Sequence, residues 1–207
     1  GFAIATGAAF AAKLDGKGRV SVCFFGDGAS NQGVLMETLN VSKLWELPTI
    51  FICENNGFSE FTPGREVTAG EIADRARAFG IATEVVDGND IQAVWEAGER
   101  AVARGRRGEG PTFIEATTYR FHGHTEAEKG ILGGGTYRDD AEVESWRPKC
   151  PVTRLRARLT DNGAAVAVAS IEERVRAIVD DASTFAETSE PADLELALGL
   201  MFHDQAA

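Results

Sequence analysis

Gly26-Asp27-Gly28-Ala29-Ser30-Asn31-Gln32-Gly33 and Glu54-Asn55-Asn56-Gly57 mark the two ends of the stretch that decides the fold. The first follows the apolar run Val20-Ser21-Val22-Cys23-Phe24-Phe25, and the second follows Thr49-Ile50-Phe51-Ile52-Cys53. Unbroken runs of this kind read as parallel strands buried on both faces. Between them, Val34 to Trp45 reads as a helix with Leu35, Leu39, Val41, Leu44 and Trp45 on its apolar side and Pro48 closing it off. This is one β-α-β unit. Neighbouring strands lie about 4.8 Å apart, so the side chains of Asp27 and Asn56 converge at one edge of the sheet.

That convergence offers a carboxylate, an amide oxygen and, close behind, the backbone carbonyl of Phe58. These are hard oxygen donors with no sulfur or imidazole among them, a set that suits Mg²⁺ better than zinc. Gly26 and Gly28 leave the backbone bare. The N–H groups of Gly28, Ala29 and Ser30 open onto a helix N-terminus, where an anion is favoured. The stretch therefore reads as a site for a metal ion and a diphosphate. It is not a P-loop, since no Gly-Lys-Ser/Thr follows, and it lacks the Gly-x-Gly-x-x-Gly spacing of dinucleotide binders. Taken singly, Gly-Asp-Gly is a tight turn and Asn-Gly a hairpin signal. The weight lies in their pairing, with Asn56 29 residues after Asp27 and both at strand exits.

The remaining chain continues the alternation. Ala5 to Leu14 reads as a helix, followed by a turn at Asp15-Gly16-Lys17-Gly18. Gly57 to Gly70 reads as irregular, because Pro63 and Gly64 oppose regular structure. Glu71 to Phe79 is helical, Ile81 to Val86 a third strand, and Asp90 a cap for a helix over Ile91 to Ala103. Thr112 to Thr118 is the fourth strand. Strands alternating with helices imply a doubly wound, mostly parallel α/β sheet. Past Thr118, Gly130 and Gly133-Gly134-Gly135 point to a mobile loop without helix or strand. From Asp139 the pattern is helical, broken at Pro148 and Pro151, with helices expected over Leu155 to Leu159, Ile171 to Thr184 and Leu194 to Phe202, packing against the core or a partner chain. The expected organisation is an α/β core over 1–138 and a C-terminal helical extension of the same domain over 139–207.

The composition narrows the partners. A net charge of −11 and a pI near 4.8 argue against nucleic acid and anionic membrane. No apolar run is long enough to span a bilayer. Cys23, Cys53 and Cys150 fit neither a disulfide framework nor a metal spacing, which points to a reducing compartment. Sixteen arginines against five lysines suggest a GC-rich bacterial source, hence a cytoplasmic location. The opening Gly1-Phe2-Ala3 starts inside an Ala-rich helix, as in a chain truncated at its N-terminus. His122 and His124, at i and i+2, could supply half a zinc site, but only His203, read as a tail residue, remains and no cysteine stands near. On composition alone they are an exposed loop pair.

From "GDGASNQGVLMETLNVSKLWELPTIFICENNGF" the chain closely resembles the alpha subunit of the decarboxylating component of 2-oxo acid dehydrogenase complexes, the pyruvate, branched-chain and acetoin enzymes. Glu37 and Asn40 stand at matching offsets on the intervening helix. The resemblance implies a thiamine-diphosphate-binding fold, with thiamine diphosphate and Mg²⁺ as cofactors. Asp27, Asn56 and Phe58 would be the metal ligands, and Gly26, Gly28 and Ala29 would line the diphosphate. "TYRFHGHT" resembles the family's Tyr-Arg-x-x-Gly-His-Ser segment, so Arg120 would bind diphosphate and His124 would face the reacting group. An arginine fork suits a diphosphate better than lysine does. Thr125 stands where some relatives carry a phosphorylated serine. The family's Ser-x-x-Asp-Pro is replaced here by Thr125-Glu126-Ala127-Glu128-Lys129 and a glycine-rich stretch before Tyr137-Arg138.

The activity implied is oxidative decarboxylation of a 2-oxo acid, pyruvate first, with acyl transfer to a lipoyl group. The implied partners are a beta subunit, in a heterotetramer of two alpha and two beta chains, and the lipoyl-bearing acyltransferase of the complex. An acetoin dehydrogenase is the alternative. A decarboxylase or synthase of another thiamine-diphosphate family is opposed by "ENNGF" and "YRFHGHT". A non-catalytic chain that binds Mg-diphosphate structurally is the rival from another class.

Overall fold

The structure is a computed structural model, described for residues 1–199. His203 and the end of the helix expected over Leu194 to Phe202 lie outside the described residues. The chain forms two compact units, one of residues 1–155 and one from Arg156 onward.

In the first unit, chain order runs α1 (Phe2–Asp15), β1 (Ser21–Gly26), a 3₁₀ turn (Asp27–Asn31), α2 (Gly33–Leu44) and β2 (Thr49–Asn55). A hairpin of β3 (Phe58–Ser59) and β4 (Thr62–Pro63) follows, then α3 (Gly64–Val67), α4 (Ile72–Ala78), β5 (Ala82–Asp87), α5 (Ile91–Arg106) and β6 (Thr112–Thr117). The long strands pair in parallel in the order β1-β2-β6-β5. Gly26 lies opposite Glu54 and Asn55 opposite Thr117, so β1, β2 and β6 end at one level. The α/β alternation read from the sequence is the one the chain adopts. Asp90 caps α5 as expected, accepting the Gln92 N–H at 3.0 Å.

Helices cover the sheet unequally. On one face α1, α2 and α4 bury Cys23, Phe25, Phe51, Cys53 and Phe113, with Leu35 and Leu39 of α2 and Ala76 of α4 packed among them. On the other, α5 sets Ala97 and Ala101 against Ile50 and Ile114. β2 is buried nearly throughout, but β1 is an edge strand of this sheet. Its Val22 and Phe24 are 42% and 63% exposed, so the expectation of two buried faces fails for β1. The alternation is hidden in its sequence because both faces carry apolar residues. The apolar side expected of α2 also shifts. Leu35, Thr38, Leu39 and Ser42 are buried, whereas Leu44 and Trp45 lie at the surface, where Trp45 packs on Phe10 with ring centroids 5.4 Å apart.

Two stretches expected to be irregular are ordered. Pro63 joins the β3–β4 hairpin at a position that needs no N–H donor, since the ladder bond there runs from Gly64 N–H to the Gly57 carbonyl at 2.7 Å. Gly64 then opens α3. Gly130 lies within the one-turn α6 (Glu128–Ile131), while Gly133 and Gly134 take the left-handed backbone that follows it. α7 (Asp140–Trp146) leads through a 3₁₀ turn to α8 (Pro151–Asp161), whose first residue is Pro151. Proline there starts a helix instead of breaking one, because the first helical N–H has no partner to lose. The stacked rings of Tyr119 and Trp146 and the hydrogen bond from the Tyr119 hydroxyl to Glu142 hold α7 in the first unit.

The second unit contains the rest of α8, α9 (Ala165–Thr188) and α10 (Leu194–Gly199). Arg156 pairs with Glu172. Ile171, Val175, Ile178 and Phe185 of α9 are 47% to 73% exposed. Among the described residues no helix is long and apolar enough to cross a membrane.

Candidate functional site

Asp27 stands on the residue after β1, at the start of the 3₁₀ turn, and is only 3% exposed. Its Oδ1 is buried without a hydrogen-bond partner. Burial pushes its carboxyl above the ordinary range, against the pull of the backbone N–H groups of Asp27, Gly28 and Asn56 and of the Arg120 guanidinium. Of Asn56 it is the backbone N–H that acts on the Asp27 carboxylate across the β1–β2 exit, whereas the strand register, with Gly26 opposite Glu54, sets Asp27 level with Asn55. The Asn56 side-chain oxygen accepts the Phe58 N–H at 3.0 Å, which folds the chain back at the strand end and leaves that oxygen a second lone pair. Phe58 occupies a non-hydrogen-bonded position of the hairpin, so its carbonyl is not used by the ladder.

Two glycines beside Asp27 leave little room for a side chain. A Cβ on Gly28 would meet Ser59 of β3, lying 2.8 Å from its Cβ and 3.1 Å from its Cα. A Cβ on Gly64 would lie 3.2 Å from Asp27 Oδ2. The anion-facing N–H groups differ in setting from the expectation. Gly28, Ala29 and Ser30 belong to the 3₁₀ turn, which ends at Gln32 before α2 begins, and not to α2 itself. In a 3₁₀ turn the N–H of residue i+3 bonds the carbonyl of residue i, so only the N–H groups at its very start lack a backbone partner, and that of Gly28 acts on the Asp27 carboxylate. Glu37 and Asn40 lie exposed on α2, away from the turn.

A pocket of about 430 Å³ opens beside Asp27, with Asn55, Gly64, Thr68, Gly70 and Glu115 among its lining residues. Glu115 is a site residue that the sequence reading passed over. It is 5% exposed on β6 and accepts the Asn55 amide at 2.7 Å and the Ala73 N–H at 2.9 Å. A single acid inside the apolar strand Thr112-Phe113-Ile114-Glu115-Ala116 was the available signal. Burial, and then the charges of Glu115 and Asp27, push the Cys53 thiol far above its usual range, so it stays protonated.

Arg120 and His124 do not line this pocket. They contact the turn of the β3–β4 hairpin instead. Arg120 donates to the Glu60 carbonyl and to the Tyr137 hydroxyl, each at 3.1 Å. Tyr137 meets the rings of Phe58 and Phe61 at 5.1 Å and 5.5 Å, and His124 stands edge-on to Phe61 at 5.6 Å. The His124 imidazole is on an exposed residue, while its backbone N–H is held by the buried Glu128 carboxylate at 3.0 Å. Arg138 donates to the carbonyls of Arg120 and His122. His122 and Thr125 are exposed on the same loop.

Comparison with known proteins adds to this geometry. Residues 2–195 match the family model described as "Dehydrogenase E1 component". The chain belongs to the dehydrogenase E1 component family. It is 42% identical to the alpha subunit of the acetoin:2,6-dichlorophenolindophenol oxidoreductase of Bacillus subtilis, over 95% of this chain and 58% of that one. It is 40% identical to the pyruvate dehydrogenase E1 component subunit alpha of Porphyra purpurea, over 95% of this chain and 59% of that one. The corresponding subunit of Rhizobium meliloti is 38% identical, over 92% and 55%. The chain thus spans little more than half the length of the curated E1 relatives it matches.

Proposed function

We propose that this chain is the cofactor-holding part of the alpha subunit of a thiamine-diphosphate-dependent 2-oxo acid dehydrogenase, acting on pyruvate. The carrying observation is the buried, unpartnered Oδ1 of Asp27 at a strand exit beside Asn56. An ionised carboxylate in such a place needs a counter-charge, and a dication meets that need. Asp27, the Asn56 side-chain oxygen and the Phe58 carbonyl are oxygen donors fit for Mg²⁺. Among the described residues no group of three or more His, Cys, Asp or Glu gathers into an alternative metal site. The N–H groups of Gly28 and Ala29, on a backbone left bare at Gly26, would take the diphosphate, with Arg120 adding its guanidinium.

Thiamine diphosphate, when bound, supplies the electron sink for breaking the bond beside the substrate carbonyl. The chain's own residues bind, orient and shield. The packed Phe58, Phe61 and Tyr137 rings would shield the side on which Arg120 stands. His124, edge-on to Phe61, would move a proton at the substrate or at the lipoyl group of an acyltransferase. Acetoin in place of pyruvate is the alternative reading, favoured by the 42% identity to the Bacillus subtilis subunit.

A beta subunit is the proposed partner, in a heterotetramer of two alpha and two beta chains, within the cytoplasm of a bacterium. The relatives from Bacillus subtilis and Rhizobium meliloti support that setting. The test is turnover of pyruvate and of acetoin by the full-length alpha chain with and without its beta chain. Activity only in the assembled pair is expected. Inactivity of an assembled, cofactor-loaded pair on both substrates would favour a structural Mg-diphosphate-binding chain, and robust turnover by the alpha chain alone would refute the dependence on a partner.

A further inference from the structure

The 3₁₀ turn that carries Asp27 is fastened at its far end by a residue outside every motif above. Arg75 lies on α4. Its Nη1 donates to the Ser30 carbonyl at 2.6 Å and to the Ser30 hydroxyl at 3.1 Å, and its Nη2 donates to Asn31 Oδ1 at 2.9 Å and to the Ala69 carbonyl at 3.4 Å. Asn31 in turn donates its amide to the Val67 carbonyl at 3.2 Å and to Thr68 Oγ1 at 3.0 Å. One guanidinium and one amide therefore join the turn of residues 27–31 to the segment of residues 57–70.

The post that carries Arg75 is itself fixed. Ile72, Ala73 and Ala76 of α4 are buried against the sheet, and the Ala73 N–H is held by Glu115 of β6. The segment it grips is the one that presses on the metal donors. Gly64 leaves room for Asp27 Oδ2, and the hairpin before it sets the Phe58 carbonyl. If this segment drifted from the turn, the Phe58 carbonyl would part from Asp27 and Asn56, and the donor set would have to reassemble each time the cofactor bound.

We propose that Arg75 is a positioning residue, which locks the diphosphate turn to the 57–70 segment through Ser30, Asn31 and Ala69 and so preforms the metal and diphosphate site. This rests on the reading of that site given above. Lysine cannot replace it, since an ammonium lacks the planar fork that spans a carbonyl and an amide oxygen at once.

The experiment uses the full-length chain assembled with its beta chain, comparing wild type, Arg75→Lys and Asn31→Ala. Affinity for thiamine diphosphate with Mg²⁺ is measured by calorimetry, with the thermal midpoint of the cofactor-free assembly and kcat at saturating cofactor alongside. Removing such an outer support is expected to weaken affinity roughly 10–100-fold in both variants. At saturating cofactor, kcat stays within about twofold, because only preorganisation has been lost. Wild-type affinity in a folded Arg75→Lys or Asn31→Ala assembly overturns the inference, as does a kcat that falls in proportion to the affinity. If wild type itself does not bind thiamine diphosphate with Mg²⁺, the assignment of the site fails, a result distinct from either.

Discussion

Asp27 and His124 both stand just beyond strand exits, yet the chain holds them by different means. Asp27 follows β1 directly, and the parallel register with β2 sets it level with Asn55 and against the Asn56 backbone N–H with no intervening loop. It is buried, and its geometry is inherited from the sheet. His124 lies seven residues past the end of β6 on an exposed loop, fixed by Glu128 on its N–H and by Phe61 on its ring. Regular structure thus sets the part proposed to hold an ion, while side-chain contacts hold the part proposed to meet a moving substrate. Loops have the freedom that closure requires, and strands do not.

The sharpest way to break this contrast is through His124. His124→Ala should lower flux through a reconstituted complex by roughly 10²–10⁴-fold, the usual cost of a positioned acid–base group, with cofactor affinity kept within a few-fold. His122→Ala should do less. Near-normal flux in His124→Ala would leave His124 as an ordinary exposed loop residue. Arg120 bridges the two regions, since its charge reaches Asp27 while its hydrogen bonds hold Glu60 and Tyr137. Arg120→Ala should weaken binding of thiamine diphosphate by about 10–100-fold, read by calorimetry, by analogy with the loss of an ordering contact at a metal site.

Packing around the turn gives a smaller effect. Gly28→Ala would force its new methyl into Ser59 and should cost about 1–3 kcal/mol in urea unfolding, as overpacking does. The double variant with Ser59→Gly should recover part of that loss, and no recovery would mean that the two segments do not press together as described.

The smallest effect concerns the cofactor-free chain and pH. A carboxyl whose pKa is raised on folding contributes stability that is complete below its unfolded value, near 3.8, and lost as pH rises through the folded value. Asp27 should therefore lower the stability of the cofactor-free protein at neutral pH. Asp27→Asn should raise its thermal midpoint there by roughly 1–4 °C and bring no gain below about pH 4. Differential scanning fluorimetry across that range checks both the sign and the window. A midpoint lowered at neutral pH would mean that the Asp27 charge is already compensated without a cation.

Much of the sheet could be read from the chain, because β2 and β6 are buried on both faces and their runs are correspondingly apolar. The edge position of β1 could not. Val22 and Phe24 are as apolar as Cys23 and Phe25, and only strand order decides which face is covered. The place of Asp27 at the exit of β1, beside the end of β2, was legible because motif spacing and parallel strand order coincide. Glu115 and Arg75 were not, since their partners lie 60 and 45 residues away in Asn55 and Ser30, beyond any local pattern. Pro63 and Gly130 misled for a related reason. Each sits where a short element needs no donor or tolerates a glycine, which tertiary contacts settle and composition does not.

The most direct test is calorimetric titration of thiamine diphosphate with Mg²⁺ into the assembled enzyme carrying Asp27→Ala, beside wild type. A folded variant that has lost Mg²⁺-dependent binding is the predicted result, because the buried carboxylate is the only charged member of the proposed donor set. Unchanged affinity in that folded variant would contradict it and place the metal and the diphosphate elsewhere.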